Sequence, residues 1–132
     1  MNCLGCELAN GITDVHIVYE NEFITCILDI APLHNGHTLI LPKEHHRELD
    51  EIDEITLQAI MQASVDISKV LKHIYKPSGI SVMQNGGFFN DLDHYHMHVY
   101  PRYIGDGFGW IEPTNESVED LEIVKQLIID HL

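Results

Sequence analysis

The first part of the chain alternates apolar and polar residues in short segments that are separated by turn-forming residues. Segments 15–19 and 23–28 are rich in β-branched and aromatic residues and flank Glu20-Asn21-Glu22, so they predict a β-hairpin. Pro42 closes a third apolar segment, because proline cannot donate a ladder hydrogen bond. The same criteria predict five strands in all: 15–19, 23–28, 37–41, 80–83 and 94–101.

The middle of the chain changes to the 3.6-residue period of an α-helix, from about residue 51 to residue 75. Pro77 and Gly79 end this long central helix. Its predicted buried face consists of Ile52, Ile55, Ala59, Ala63, Ile67, Val70, Leu71 and Ile74. A C-terminal helix is predicted over about 116–131, with an apolar stripe formed by Val118, Leu121, Val124, Leu127 and Ile128.

The order of these elements predicts an α+β fold. Helices separated by groups of strands are typical of an antiparallel sheet with helices packed against it, here about five strands, a long central helix and a C-terminal helix. A chain of 132 residues, 45% of them apolar, suits one domain over 1–132, with its core in 3–110. No apolar run reaches the roughly 18 residues that span a bilayer, and the N-terminus lacks the pattern of a secretory signal. We therefore expect a cytoplasmic protein without a membrane partner.

The charge balance narrows the classes of partner. Seven basic residues against 21 acidic residues give a net charge of −14. A surface of that sign repels a nucleic-acid backbone, and no Lys/Arg cluster marks a phosphate track, so we expect no nucleic-acid partner. A phosphate ligand would have to be met locally by hydrogen-bond donors rather than by a general positive field.

Three histidines alternate with other residues in the run His94-Tyr95-His96-Met97-His98. In a strand, side chains two residues apart project from one face about 7 Å from each other, which places three imidazoles on one face and Tyr95 and Met97 in the core. Three interpretations are open: an exposed sheet face, a metal site of a zinc-dependent hydrolase with three imidazole ligands, or catalysis by an attacking imidazole. Strand geometry alone does not choose between the last two.

This run, with the Val99-Tyr100 and Pro101-Arg102 that follow it, resembles the signature of the histidine triad (HIT) family. Two upstream segments, 28–32 and 36–45, resemble the two family stretches of the N-terminal half. The similarity covers most of residues 3–110 and extends to the bacterial HIT-like proteins that carry a C-x-x-C zinc site. It implies a HIT-like fold and a homodimer.

The resemblance also implies an enzyme: a nucleotidyl hydrolase or transferase that acts at the α-phosphorus of a dinucleoside polyphosphate or a nucleoside phosphoramidate. The substrate would be a purine nucleotide or dinucleotide, and no catalytic metal would be required. The family's middle histidine attacks phosphorus and forms a covalent nucleotidyl-histidine, a role that falls to His96. The third histidine, matched by His98, binds a phosphate oxygen. His94 and His37 match two members of a hydrogen-bonded relay that orients the nucleophile.

Further substrate contacts are implied by the same resemblance. Asp29 would accept hydrogen bonds from the ribose hydroxyls, and Asn85 would contact the phosphate or the leaving group. Asn90 stands where the family has a glutamine donor. The chain departs from the family pattern at Asp91, where a hydroxyl residue is expected, because an ionised carboxylate cannot donate a hydrogen bond to the leaving group. A protein that binds the nucleotide without cleaving it is the alternative from a different class.

The residues also suggest how such a site would work without a basic surface. Neutral imidazole is available as a nucleophile near pH 7, because its reference pKa is about 6.5. A protonated His98, Arg102 and backbone amides of the glycine-rich loop that begins at Asn85 are the donors expected to meet the phosphate.

The chain has three cysteines, and an odd number without a signal peptide argues against a disulfide framework. Cys3 and Cys6 form a C-x-x-C pair, a spacing that lets two thiolates hold one metal, although a redox pair and two free thiols have the same spacing. A tetrahedral zinc would need two further ligands, for which His94 and either His45 or His46 are the candidates. Because such a site has no open position, the zinc would be structural.

Overall fold

The computed structural model describes residues 2–113 and 118–132. Its helices and strands, in chain order, are α1 (Leu4–Ala9), β1 (Ile17–Glu20), β2 (Ile24–Leu28), β3 (Thr38–Pro42), α2 (Glu54–Tyr75), β4 (Gly79–Met83), β5 (Met97–Arg102) and α3 (Leu121–His131). The five strands form one antiparallel sheet in the order β1-β2-β3-β5-β4. The predicted α+β class, with a five-stranded antiparallel sheet, a long central helix and a C-terminal helix, is confirmed.

The centre of the sheet is the most deeply buried part of the molecule. Every residue of β3 is buried, and β2 pairs with it along its whole length. On the other side, β5 pairs with β3, with Met97 opposite Ile40, and α2 packs over both strands. Ile40 and Val99 are fully buried in the core beneath Ile60 of α2. Strand β5, which carries the end of the histidine run, is therefore fixed both by its pairing with β3 and by the packing of α2.

The long helix α2 begins three residues later than its period predicts. Asp53 caps it by accepting a hydrogen bond from the Thr56 amide at 3.1 Å, and the preceding segment Leu49–Glu51 forms a separate 3-10 turn. The predicted buried face is too wide: three of its members, Ile55, Val70 and Ile74, are exposed. Helix α2 lies on the sheet along a narrower row, which consists of Thr56, Ile60, Ala63, Ser64 and Leu71.

The C-terminal helix α3 begins at Leu121 rather than near residue 116, and residues 116 and 117 lie outside the described part of the chain. Its predicted apolar stripe does not pack on the sheet, since Leu121, Leu127 and Ile128 are exposed. Within residues 2–113 and 118–132, α3 contacts no other helix or strand. None of the helices described is both long and apolar enough to cross a membrane.

The histidine run starts before its strand. β5 begins at Met97, not at His94, because the ladder with β3 starts at the pair Met97 and Ile40. The residue before His96, Tyr95, instead donates its amide hydrogen to the carbonyl of His46 at 2.6 Å. His94 and His96 precede the ladder, but Tyr95, Met97 and Val99 all lie in the core cluster, so the predicted alternation along the run is retained. The rings of His96 and His98 lie side by side, whereas the ring of His94 turns to the N-terminal cysteines.

A short helix that the periodicity did not predict, α1, lies against the start of this run. Cys3 caps it, with Sγ accepting from the Cys6 amide at 3.4 Å. Gly5 faces the ring of His94 so closely that a Cβ atom on it would lie 2.3 Å from Cβ of His94. Only glycine permits this approach, which brings both cysteines to His94.

Candidate active site and metal-binding cluster

The ring of His96 is oriented by the main chain of His94. Its Nδ1 lies 2.8 Å from the His94 carbonyl oxygen, and both residues are buried. A carbonyl oxygen only accepts, so Nδ1 must donate. The neutral ring therefore carries its lone pair on Nε2, the nitrogen that a nucleophile needs.

A second chain of hydrogen bonds fixes His98 through His37. The Leu33 amide donates to Nδ1 of His37 at 3.1 Å, which leaves the hydrogen of the neutral His37 ring on Nε2. That nitrogen lies 2.9 Å from Nδ1 of His98, so His37 donates and His98 accepts. The neutral His98 ring consequently carries its hydrogen on Nε2, where it can be donated to a ligand oxygen.

Asp29 supports this pair from the loop after β2. Its Oδ2 lies 3.6 Å from Nε2 of His37, while Oδ1 accepts from the Ala31 amide at 2.8 Å. Burial lowers the pKa of His37, and the Asp29 carboxylate partly opposes that shift. Burial likewise lowers the pKa of His98 to about 4, and the nearby rings of His96 and His37 add to the effect.

Burial therefore favours the neutral form of His98, whereas the sequence suggests a protonated His98 that meets the phosphate. The cause is desolvation, which disfavours the charged imidazole more than Asp29 favours it. A phosphate oxygen can still accept from the neutral Nε2–H. The arrangement thus offers one directed donor rather than a positive charge.

These residues open onto a cavity of about 320 Å³. Its volume falls at the lower end of the range of about 300–1,000 Å³ that is typical of small-molecule sites. The polar lining consists of Asp14, Asp29, Asp91, His96, His98 and Thr13. The apolar lining includes Val15 before β1, Ile27 of β2, Leu39 of β3 and Leu92 of the loop before β5. The cavity therefore joins an apolar wall to a row of carboxylates and imidazoles.

Asp91 lies directly beside the nucleophile position. Its Oδ1 is 3.1 Å from Nε2 of His96, and its side chain is 84% exposed. The carboxylate thus stands at the mouth of the cavity. Since an ionised carboxylate only accepts, this contact is a hydrogen bond when a proton sits on Nε2, and Nε2 offers a lone pair once that proton has left.

A different group of side chains converges on the far side of His94. Sγ of Cys6 lies 3.3 Å from Nδ1 of His45 and 3.5 Å from Nδ1 of His94, and Sγ of Cys3 lies 3.6 Å from Nδ1 of His94. One donor atom from each of the four residues lies within 4.8 Å of every other. Of the two histidines left open by the sequence, His45 joins this cluster, while Nε2 of His46 faces Glu44 and Asp53 at 3.8 and 3.9 Å.

The chemistry of this donor set fits zinc. Bonds of about 2.3 Å to sulfur and about 2.0 Å to nitrogen separate the two ligands by about 3.5 Å at a tetrahedral angle. The three sulfur–nitrogen distances, 3.3 to 3.6 Å, match that separation. Nε2 of His94 donates to the Pro42 carbonyl at 2.8 Å, so its Nδ1 keeps a lone pair for a metal. Burial raises the pKa of the Cys6 thiol, with a contribution from Cys3, so a metal would have to displace its proton.

Comparison with known proteins decides the family. The HIT domain profile matches residues 10–105. The chain belongs to the HIT family. Among curated relatives, the Protein hit of Bacillus subtilis is 32% identical over 137 residues, which cover 99% of this chain and 94% of that one. An adenosine 5′-monophosphoramidase of Schizosaccharomyces pombe is 30% identical over 118 residues, which cover 83% and 84% of the two chains.

Solved structures of HIT proteins share the fold. A HIT family member from Bacillus subtilis superposes with a TM-score of 0.87 at 32% identity, covering 100% of this chain and 98% of that chain. A zinc-bound histidine triad family protein from Mycobacterium smegmatis has a TM-score of 0.75 at 29% identity, covering 87% and 85%. The fold prediction made from the sequence is therefore supported by experimental structures of relatives.

The HIT-family signature divides into two sites in this chain. His96 and His98 lie with ring centroids 5.0 Å apart at the cavity, whereas the ring of His94 points to the cysteines. The three rings do not converge on one point, so the geometry gives no support to a zinc-dependent hydrolase with these three ligands. His37 and His94 also serve different neighbours: His37 bonds the ring of His98, and the carbonyl of His94 bonds the ring of His96.

Several expected phosphate and leaving-group contacts lie elsewhere. Among the residues described, neither Asn85 nor Asn90 lines the cavity, and the Asn90 amide donates to the Arg47 carbonyl at 3.1 Å. Arg102 forms a two-nitrogen pair with Asp106 at 2.6 and 3.0 Å, so its guanidinium is already engaged. In the glycine-rich loop, the Gly87 amide donates to Glu48 at 2.7 Å. The cavity consequently holds fewer phosphate donors than the sequence suggests.

Proposed function

We propose that this HIT-family protein is a nucleotidyl hydrolase or transferase that works through a covalent nucleotidyl-histidine intermediate on His96. One observation carries the proposal: hydrogen bonding to the His94 carbonyl leaves the lone pair of neutral His96 on Nε2, beside a cavity of about 320 Å³. A ring held in this way needs no further base to act as a nucleophile. The phosphoramidase activity named for the fission-yeast relative supports the same class of reaction.

The reaction proceeds in two displacements. Nε2 of His96 attacks the α-phosphorus, the bond from phosphorus to the leaving group breaks, and the leaving group departs with the bonding electrons. Water then attacks the same phosphorus, the bond from phosphorus to Nε2 breaks, its electrons return to Nε2, and a proton passes to solvent. Splitting one displacement into two lower barriers is the advantage of a covalent intermediate.

The neighbouring residues supply orientation rather than charge. The neutral Nε2–H of His98 donates to a phosphate oxygen, and His37 is the positioning residue that holds this tautomer. Asp29 accepts from the ribose hydroxyls, and the apolar wall around Val15, Ile27 and Leu39 takes a purine base. Asn85 and Asn90 are not assigned a substrate contact, because neither lines the cavity in the described part of the chain.

We also propose that Cys3, Cys6, His45 and His94 hold a structural zinc ion. Four protein ligands leave no open position, so the metal would supply rigidity and no reaction step. The zinc-bound relative from Mycobacterium smegmatis supports the proposal, since it shows that a protein of this family and fold can hold the metal. The zinc would tie α1 to His94 and thereby fix the carbonyl that orients His96.

The proposed assembly is a homodimer in which each chain forms one domain. An apolar surface on α2 and β1 that is exposed in the described part of the chain supports it, formed by Val18, Tyr19, Ile55, Met61, Val65, Val70 and Ile74. Exposed patches of this kind mark protein interfaces. Sedimentation of the protein is expected to give a dimer, and Ile74→Glu a monomer; a monomeric wild type would contradict the assembly.

The experiment that tests the reaction traps the intermediate. The protein is mixed with an adenosine 5′-phosphoramidate, quenched in alkali and analysed by mass spectrometry for an adenylyl group on His96. His96→Ala is expected to bind the nucleotide with little change but to lose the adduct and at least about 1,000-fold in turnover. Nucleotide binding without an adduct or turnover in the wild type would instead favour a non-catalytic nucleotide-binding protein.

A further inference from the structure

We propose that Asp91 is a specificity-determining residue that favours amine leaving groups carrying a separate positive charge over anionic leaving groups, polyphosphates included. The inference rests on the proposed function, since it concerns the group that leaves when His96 attacks. It starts from the carboxylate oxygen 3.1 Å from Nε2 of His96.

The position of Asp91 is fixed although its side chain is exposed. The preceding residue, Asn90, donates to the Arg47 carbonyl at 3.1 Å and accepts from the Leu92 amide at 3.1 Å. These two bonds anchor the chain on both sides of Asp91, and Leu92 itself lines the cavity. The carboxylate can turn about its own side-chain bonds, but the backbone keeps it at the rim.

The lining of the cavity holds no basic residue, among those described, that would offset the charge of the Asp91 carboxylate. Among the described residues that line it, three are aspartates, Asp14, Asp29 and Asp91, and none is lysine or arginine. Burial lowers the pKa of the lining imidazole of His98 to about 4, and two nearby arginines are paired, Arg102 at the end of β5 with Asp106 and Arg47 with Asp93. A leaving group with extra negative charge would therefore meet repulsion that no basic residue of the lining offsets.

The reaction brings the leaving group to this rim. When Nε2 attacks phosphorus, the carboxylate must yield its place beside Nε2 to the phosphoryl group, and it stays next to the reacting atoms because its backbone is anchored. In a phosphoramidate, the P–N bond breaks, the electron pair goes to nitrogen, and the nitrogen takes a proton from solvent. Asp91 accepts a hydrogen bond from the departing amine and attracts an ammonium group elsewhere on it. In a dinucleoside polyphosphate, the leaving oxygen gains negative charge beside the same carboxylate.

The test compares adenosine 5′-phosphoramidates whose leaving amines have one length and end in an ammonium, a methyl or a carboxylate group, with a diadenosine polyphosphate as a fourth substrate. For the wild type, kcat/KM is expected to fall in that order, by about tenfold for each unit of charge, the size of one charge–charge contact near a protein surface. Asp91→Asn keeps the shape, removes the charge and should reduce the ammonium-to-carboxylate ratio at least tenfold. Asp91→Ser should do the same.

Asp93→Asn is the matched control, because Asp93 is an exposed carboxylate two residues away that pairs with Arg47 instead of His96. It removes the same net charge and should leave the ratio as in the wild type. An unchanged ratio in both folded Asp91 variants, or an equal drop in Asp93→Asn, would overturn the role of Asp91. In that case an adduct on His96 would still form, whereas failure of the proposed function would show as no adduct and no turnover with any of the four substrates.

Discussion

The proposed metal-binding cluster and the proposed catalytic cavity both contain histidines, but opposite nitrogens of the ring face the two sites. At the cluster, His94 donates from Nε2 to the Pro42 carbonyl and turns Nδ1 to the cysteines. At the cavity, His96 donates from Nδ1 to the His94 carbonyl and turns Nε2 to the cavity, beside the Asp91 carboxylate. In each case a backbone carbonyl accepts from one ring nitrogen and leaves the other nitrogen to face the site. The carbonyl is that of Pro42 for His94 and that of His94 for His96.

The two regions are joined through a single residue, His94. The side chain of His94 belongs to the cluster, and its carbonyl belongs to the cavity. Disturbing either region tests how independent the other is.

Breaking the cluster is expected to have the largest effect. Cys6→Ala removes a ligand, so the protein should bind well under one zinc per chain and lose about 3 kcal/mol or more in free energy of unfolding. Metal analysis and chemical denaturation measure the two quantities. Cys26→Ala, which changes a buried cysteine outside the cluster, should retain one zinc per chain. Full zinc content in Cys6→Ala would contradict the assignment of the cluster.

Gly5→Ala should disturb both regions at once. The added Cβ would lie 2.3 Å from Cβ of His94, so the residue that joins the two sites must shift. We expect a loss of about 1–3 kcal/mol in stability, weaker zinc binding and lower kcat. Gly79→Ala is the control, since a Cβ there meets nothing within 4 Å. Equal effects of the two substitutions would show that the contact with His94 is unimportant.

His37→Asn should disturb the cavity alone. Asparagine cannot place a donor where Nε2 of His37 lies, so His98 loses the bond that fixes its tautomer. We expect kcat to fall about tenfold to hundredfold, the effect of one buried hydrogen bond, with zinc content unchanged. His37→Gln, which places an amide donor near the Nε2 position, should recover most of the activity. Loss of zinc in His37→Asn would mean that the regions are coupled by a route other than His94.

The pH dependence of stability should show the smallest effect. Burial lowers the pKa of His98 to about 4 from an ordinary value of 6.5, so between these values the unfolded chain binds more protons than the folded one. The free energy of unfolding should therefore fall as pH drops from 6.5 toward 4. For His98 the slope should stay below about 1.4 kcal/mol per pH unit because solvent screens a partly buried ring. Urea denaturation at pH 7 and pH 5 should show a shallower decline for His98→Gln, and identical declines would contradict the shift.

The strands and the long helix can be predicted well from the sequence, because buried and exposed residues alternate along each with the period of its own geometry. It does not predict α1, which has six residues and no helical repeat, and whose close approach to His94 depends on Gly5. The buried face of α2 is too wide in the prediction because apolar residues on its outer side, such as Ile55 and Ile74, follow the same period as the core.

The candidate site shows the same division between local and distant causes. His96 and His98 could be singled out from the signature and His37 from the upstream segment 36–45, and the structure brings the three together. The sequence could not show that His45 rather than His46 joins the cluster, because the cysteine partner is distant in the sequence. It also could not show that Asp106 pairs with Arg102, because a loop brings the two together. The contact between Asp91 and His96 has the same origin.

The use of a main-chain carbonyl to orient His96 has a consequence for how such a protein changes over evolution. Every residue type at position 94 carries a carbonyl oxygen, so replacement of the His94 side chain does not by itself remove the acceptor for Nδ1 of His96. A lineage can therefore discard the cysteine pair and its metal ligands while retaining the nucleophile, provided that other contacts hold the path of the chain. In this fold, the proposed metal site and the orientation of His96 therefore depend on different parts of residue 94.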